Sequence, residues 1–143
     1  MKKMNNKGFS LIELIIVIAI MAVLVAIIAP NLTKYLGKSK TNTDKKNVDE
    51  IAAQLKTCIT DYETDNGDLL TGTGATLSVT WSSAGVTCSN AAFQTIVQNT
   101  IGTGAQSKKD TTKYATATIA LKGATADDGY TITVVLNTES VVR

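Results

Sequence analysis

The sequence predicts an α+β protein: a long N-terminal helix, apolar in its first half and amphipathic in its second, packed against a small antiparallel sheet. Three observations carry that expectation. Phe9 to Ala29 is apolar throughout except for Ser10 and Glu13. Beyond Pro30, apolar residues return at spacings of three and four as far as Tyr62. From Leu77 onward the pattern changes to short alternating segments rich in threonine.

The apolar run of 21 residues makes a helix of roughly 32 Å, enough to cross a bilayer core of about 30 Å. An acid in such a run costs about 2.5–3.5 kcal/mol near its centre on insertion scales, so Glu13 needs a reason. A secretory signal peptide would be cut after the run, yet Ala29 precedes Pro30 and Ile27 is not the small residue such a site wants. A plain membrane anchor leaves Glu13 unexplained. A buried core helix fits poorly, because the segment is apolar all round.

Past Pro30, Leu32, Tyr35 and Leu36 start a stripe that Val48, Ile51, Ala52, Leu55, Ile59 and Tyr62 continue on a polar helix. Gly37 weakens its middle by about 0.5–1 kcal/mol relative to alanine. Asn66-Gly67 is a stop signal. Phe9 to about Asp65 therefore reads as one long bent helix.

Gly67 to Gly74 is a loop by its glycine and threonine content. Leu77, Val79 and Trp81 alternate with Ser78, Thr80 and Ser82 as a half-buried strand. Ser89 is positioned to cap a short helix, Asn90 to Ile101, with Phe93, Ile96, Val97 and Ile101 on one face and Gly102 at its end. Trp81 and Phe93 are expected in the core. Thr103 to Thr112 is a polar loop. Tyr114 to Lys122 and Tyr130 to Asn137 form a hairpin around Asp127-Asp128-Gly129, with Ile132, Val134 and Leu136 sharing a face with Ile119 and Leu121. Ser140 to Arg143 adds an edge.

The residues for catalysis are missing. Without histidine there is no Ser-His-Asp triad, no Cys-His pair and no histidine metal site. The GTG pairs at Gly72 and Gly102 lack the rest of a phosphate-binding signature. Asp61, Glu63, Asp65 and Asp68 only superficially resemble a calcium loop, since Gly67 is one place late and position 72 is glycine. Asp127 and Asp128 are weak candidates of the same kind. No catalytic residue, metal or cofactor is expected, and the chain reads as no enzyme. Asn31-Leu32-Thr33 matches a glycosylation sequon beside the apolar run.

The whole chain carries a formal charge of +2. Lys2, Lys3 and Lys7 account for the excess: 14 minus 3 leaves 11 basic residues beyond position 8, against 12 acidic ones. Bulk charge gives no argument for nucleic acid or an acidic substrate. A lysine patch of Lys108, Lys109, Lys113 and Lys122 has no aromatic platform beside it, so DNA is not expected as a partner.

The stretch Lys7-Gly8-Phe9-Ser10-Leu11-Ile12-Glu13-Leu14 closely resembles the class III signal of type IV pilins and the related pseudopilins. The resemblance implies cleavage by prepilin peptidase between Gly8 and Phe9, and N-methylation of Phe9. It makes Glu13 the acid at the fifth mature position and Pro30 the helix-bending proline, both with roles in assembly. Where the family often has glycine eight residues before that proline, this chain has Ala22, a better helix former. The implied organisation is a leader over 1–8, a transmembrane and polymerisation helix over 9–30, an amphipathic continuation over 31–66 and a globular head over 67–143.

Lys34, Lys38, Lys40, Lys45 and Lys46 follow the helix, and a literal positive-inside reading would put them in the cytoplasm. The resemblance places the leader inside and the head outside instead. Outside, Cys58 and Cys88 can pair, closing a loop worth roughly 3–4 kcal/mol by chain entropy; two buried thiols are the alternative. The function implied is a pilin polymerised through its N-terminal helix into an extracellular filament for adhesion or motility. The rival is a pseudopilin of a type II secretion or competence DNA-uptake system. The implied partners are other copies of the chain, the peptidase, an assembly ATPase with its membrane platform, and the membrane before assembly.

Overall fold

The computed structural model describes residues 9–102, 105–137 and 139–142. Its elements run α1 (Leu11–Asn66), β1 (Thr76–Ser82), β2 (Gly85–Cys88), α2 (Ala91–Thr100), β3 (Thr116–Leu121), β4 (Tyr130–Leu136) and β5 (Glu139–Val142), with a 3₁₀ turn at Ala126–Asp128. This is the expected α+β arrangement. The chain divides into one unit ending at Lys38 and another starting at Ser39, and α1 contributes to both.

In the first unit every described residue from Phe9 to Lys38 is exposed. Pro30 lies inside α1, where its missing N–H leaves the Ala26 carbonyl without a helical donor. The next turn uses side chains on neighbouring carbonyls: the Thr33 hydroxyl donates to Ala29 O at 2.6 Å, and Asn31 Nδ2 to Ile27 O at 3.5 Å. The stripe expected from Leu32 onward divides here. Leu32, Tyr35 and Leu36 are exposed, Tyr35 at 76 %, and burial starts only at Asp44 and Val48.

The second unit is built on a five-stranded antiparallel sheet in the order β2-β1-β3-β4-β5. Alternation decides its two faces. Leu77, Val79, Trp81, Ala117, Ile119, Ile132, Val134 and Leu136 are buried in one cluster with Val48, Ile51, Ala52, Leu55, Cys58 and Ile59 of α1. Trp81 and Phe93 lie in that core as expected, at 2 % and 0 % exposure. The opposite face is a lattice of hydroxyls: Ser78 pairs with Thr118 and Thr118 with Thr133, while Thr87, Thr80 and Thr116 form a neighbouring row. Among the described strand residues none on that face is charged.

Two elements differ from the sequence reading. Gly85–Cys88 form a strand, β2, that the sequence did not announce, because Ser83-Ala84 reverses the chain and pairs Ser82 with Gly85. The cap of α2 is Asn90, one residue later than Ser89; its Oδ1 accepts from Phe93 N at 3.0 Å. Helix α2 then covers the β2 edge. Gln98 Oε1 accepts from Val86 N and Gln94 Oε1 from Cys88 N, both at 3.1 Å.

Candidate assembly site

Ser10 and Glu13 build the start of α1. Glu13 Oε2 accepts from Ser10 N at 2.8 Å, which satisfies one of the donors a helix leaves open at its first turn. That is half of a capping box, and S-x-x-E in the sequence was its signal. Among the described residues, the one hydrogen bond to the Glu13 carboxylate is that to Oε2. Phe9 is 89 % exposed, and no acid other than Glu13 lies between it and Lys38. Gly8 and the rest of 1–8 lie outside the described residues. Pro30 sits within α1 as described above. By length and composition, this helix is the one among the described residues suited to cross a membrane.

A second carboxylate of α1, Asp44, was not singled out by the sequence reading. It is fully buried and accepts from Ser107 Oγ at 2.5 Å, Lys108 N at 2.6 Å and Lys109 N at 3.2 Å. Ser107 Oγ in turn accepts from Lys109 N at 3.1 Å and Asp110 N at 3.0 Å. Burial pushes the Asp44 carboxyl up, but these donors and the Lys109 charge outweigh it and hold it below the ordinary range. The loop expected to be merely polar is therefore clamped to the helix. The signal was its position, four residues before Val48 on the buried stripe.

Cys58 on α1 is buried in the core, and Cys88 on β2 packs against the same cluster. Both stand as thiols. Burial raises both above the usual thiol value, against hydrogen bonds from the Thr100 hydroxyl to Cys58 and from the Asn90 and Ser89 backbone to Cys88.

The helix end carries acids in two states. Glu63 accepts from the Tyr130 hydroxyl and from Leu69 N. Burial first, then Glu63, push the Tyr130 phenol well above its usual value. Asp61, Asp65, Asp68 and Asp127 are exposed. Asp128, also exposed, accepts from Ala124 N and Thr125 N. Among the described residues no three His, Cys, Asp or Glu side chains gather as metal ligands would. The lysines of the suggested patch separate: Lys108 lines a groove with Asn47, Glu50 and Gln106, whereas Lys122 lines another with Glu63 and Tyr130.

Residues 3–29 match the family model described as the prokaryotic N-terminal methylation motif. The chain is 32 % identical over 75 residues to the type IV major fimbrial protein FimA of Dichelobacter nodosus, covering 52 % of this chain and 48 % of that one. It is 48 % identical over 44 residues to the type IV major pilin protein PilA of Myxococcus xanthus, covering 31 % of this chain and 20 % of that one. The match thus spans half or less of these two relatives. To the fimbrial protein EcpC of Eikenella corrodens it is 33 % identical over 141 residues, covering 90 % of this chain and 81 % of that one. No solved structure matches.

Proposed function

The chain belongs to the type IV pilin family, and from that premise we propose that it is the structural subunit of a type IV pilus. It is inserted in the membrane as a precursor and cut by prepilin peptidase between Gly8 and Phe9. Phe9 is methylated, and assembly by an ATPase and its membrane platform polymerises the subunit through residues 9–30 into an extracellular filament. The leader is 1–8, 31–66 continues the helix, and 67–143 form the head displayed for adhesion or motility. The names of two relatives, major fimbrial protein and major pilin, favour a surface filament over the short piston of a pseudopilin.

One observation supports this reading above the rest: the stretch of α1 up to Ala29 is apolar, exposed throughout and carries a single acid, Glu13. Cleavage leaves a positive amine on Phe9, beside a helix end that adds about half a positive charge. Glu13 of a neighbouring subunit can neutralise that amine. At about 4 Å and an effective dielectric of 20 the pair is worth roughly 4 kcal/mol before desolvation. Desolvation consumes much of that, so the pair sets the axial register of the helices more than it stabilises them.

Mass spectrometry of the mature chain tests the processing step, with N-methyl-phenylalanine at Phe9 expected at the N-terminus. A mature chain that starts at Met1, or beyond Ala29, overturns the pilin reading. Electron microscopy of cells with and without the chain tests the filament, which is expected only where the chain is present.

A further inference from the structure

We propose that the outward face of the sheet is a lateral contact, through which copies in neighbouring filaments pack face to face and gather the filaments into bundles; this rests on the filament reading above. The strand register fixes what that face presents. The row of Ser78, Thr118 and Thr133 continues to Val142 on β5, and the row of Thr80 and Thr116 continues to Val135 and Ser140. A third row sets Thr76, Ala120 and Thr131 side by side. Among the described strand residues this face therefore offers hydroxyls, methyl groups and small aliphatic side chains, with no charge and no aromatic ring. Glu139 of β5 falls on the inward side, opposite buried Leu136 and 3.7 Å from Lys45 of α1. Interspersed charges, on the order of a quarter to a third of residues, usually keep soluble surfaces apart. A whole sheet face here lacks that safeguard.

The composition selects the partner. Nucleic acid and anionic lipid are gripped by cations, which this face does not carry. A sugar ring stacks its apolar side on aromatic residues, which are missing too. An identical face fits. A hydroxyl both donates and accepts, so each row meets its complement when the face is turned onto itself about a two-fold axis. No like charges meet across that axis, and the methyl groups interdigitate as side chains do between sheets packed about 10 Å apart.

Size decides the kind of contact. Five strands about 4.8 Å apart, the longest of seven residues, cover at most about 450 Å² per copy, against roughly 800 Å² per partner in a standard stable complex. A single pair is too weak to hold free subunits together. Repeated along two filaments, each pair formed raises the effective concentration of the next. The face thus acts only after assembly.

The test uses filaments of the full chain, sheared from cells that assemble it, and reads the share that sediments at low speed as bundles. Thr118 is exposed on the central strand of the sheet. Thr118→Glu and, separately, Thr118→Lys are each expected to lower the bundled share on the order of tenfold at parent-level filament yield, because like charges then face each other. Mixing the two kinds of filament is expected to restore bundling. Parent-level bundling from either variant overturns the inference, as does a mixture no more bundled than its parts. Where these variants lower the melting temperature of the subunit, Thr80→Glu and Thr80→Lys read the same face with the same outcomes. An uncharged contact also keeps parent bundles intact as salt rises well past physiological strength; bundles that dissolve there overturn the inference in favour of a charged contact. Parent bundles that disperse on glycosidase treatment overturn it in favour of a polysaccharide between filaments. Parent filaments that stay single overturn the lateral contact alone, and absence of filaments from the parent overturns the filament reading itself.

Discussion

Glu13 and Asp44 lie on the same helix, and each is the exception in its surroundings. Glu13 interrupts the stretch of that helix that is apolar and exposed as far as Ala29; Asp44 interrupts the buried stripe of the compact unit. Both turn to backbone N–H groups. Glu13 finds its donor three residues away and uses one oxygen, whereas Asp44 draws donors from 63 to 65 residues away and uses both. Asp44 is thus spent on holding the fold, whereas Glu13 stands on the exposed stretch with a single local donor among the described residues. The two carboxylates differ both in burial and in the reach of their donors along the chain.

The largest expected effect breaks that contrast at Glu13. Glu13→Leu removes a buried-charge penalty, so the variant inserts at least as well as the parent and is still cut at Gly8. Its filament yield is expected to fall tenfold or more, since a pair of roughly 4 kcal/mol before desolvation is lost from each contact. Membrane fractionation with a sheared-filament assay measures both, and normal yield from the cut variant removes the register role.

A smaller effect concerns the two cysteines that meet the same core. The structure holds Cys58 and Cys88 as free thiols; we propose that oxidation outside the cell joins them, so that peptide mapping without reductant, under alkylating conditions, is expected to recover a Cys58–Cys88 linked peptide. Cys58→Ser then lowers head stability by about 3–4 kcal/mol and leaves cleavage intact. Free thiols at both positions retire the bridge.

Smaller again, Asp44→Ala is expected to lower the stability of the compact unit by about 2–4 kcal/mol, because it strands the Ser107 hydroxyl and Lys108 N, while Lys109 N keeps Ser107 Oγ. Filament register is untouched. Asp44 is held below its ordinary value of 3.8. Its contribution is therefore complete above that value and is lost as pH falls through the lower native one. Melting curves from pH 6 down to pH 2 check the sign: the parent loses stability relative to Asp44→Ala only toward the acid end. A difference that stays constant across the range shows that the clamp acts through shape rather than charge.

The long helix, the stripe from Val48 to Ile59, the β3–β4 hairpin and the core aromatics were legible because each rests on local periodicity. Glu13 and Pro30 stood out by their residue types, and Lys7 to Leu14 by its pattern. Strand β2 was hidden because Gly-Val-Thr-Cys is too short to alternate, and its Ser-Ala turn lacks the usual Asn-Gly or Asp-Gly signal. The cap of α2 slipped by one residue because Ser89 and Asn90 are both good caps. The Asp44 clamp could be located on the stripe but not paired, since its partners come from a loop more than sixty residues away and no spacing rule reaches that far. Leu32, Tyr35 and Leu36 continue the period of the buried stripe and stay uncovered, so periodicity reported an amphipathic helix and not which stretch of it the sheet would cover.

The glutamines of α2 have a consequence for what kind of fibre the subunit is able to form. A sheet with a bare edge invites edge-to-edge growth into cross-β aggregates, an irreversible rival to any ordered assembly of crowded subunits. Gln94 and Gln98 occupy the N–H groups that β2 would offer to an incoming strand, and at the far side β5 is only four residues long. With one border sealed and the other short, strand-by-strand stacking has little to start from, which favours the helical route of polymerisation proposed above.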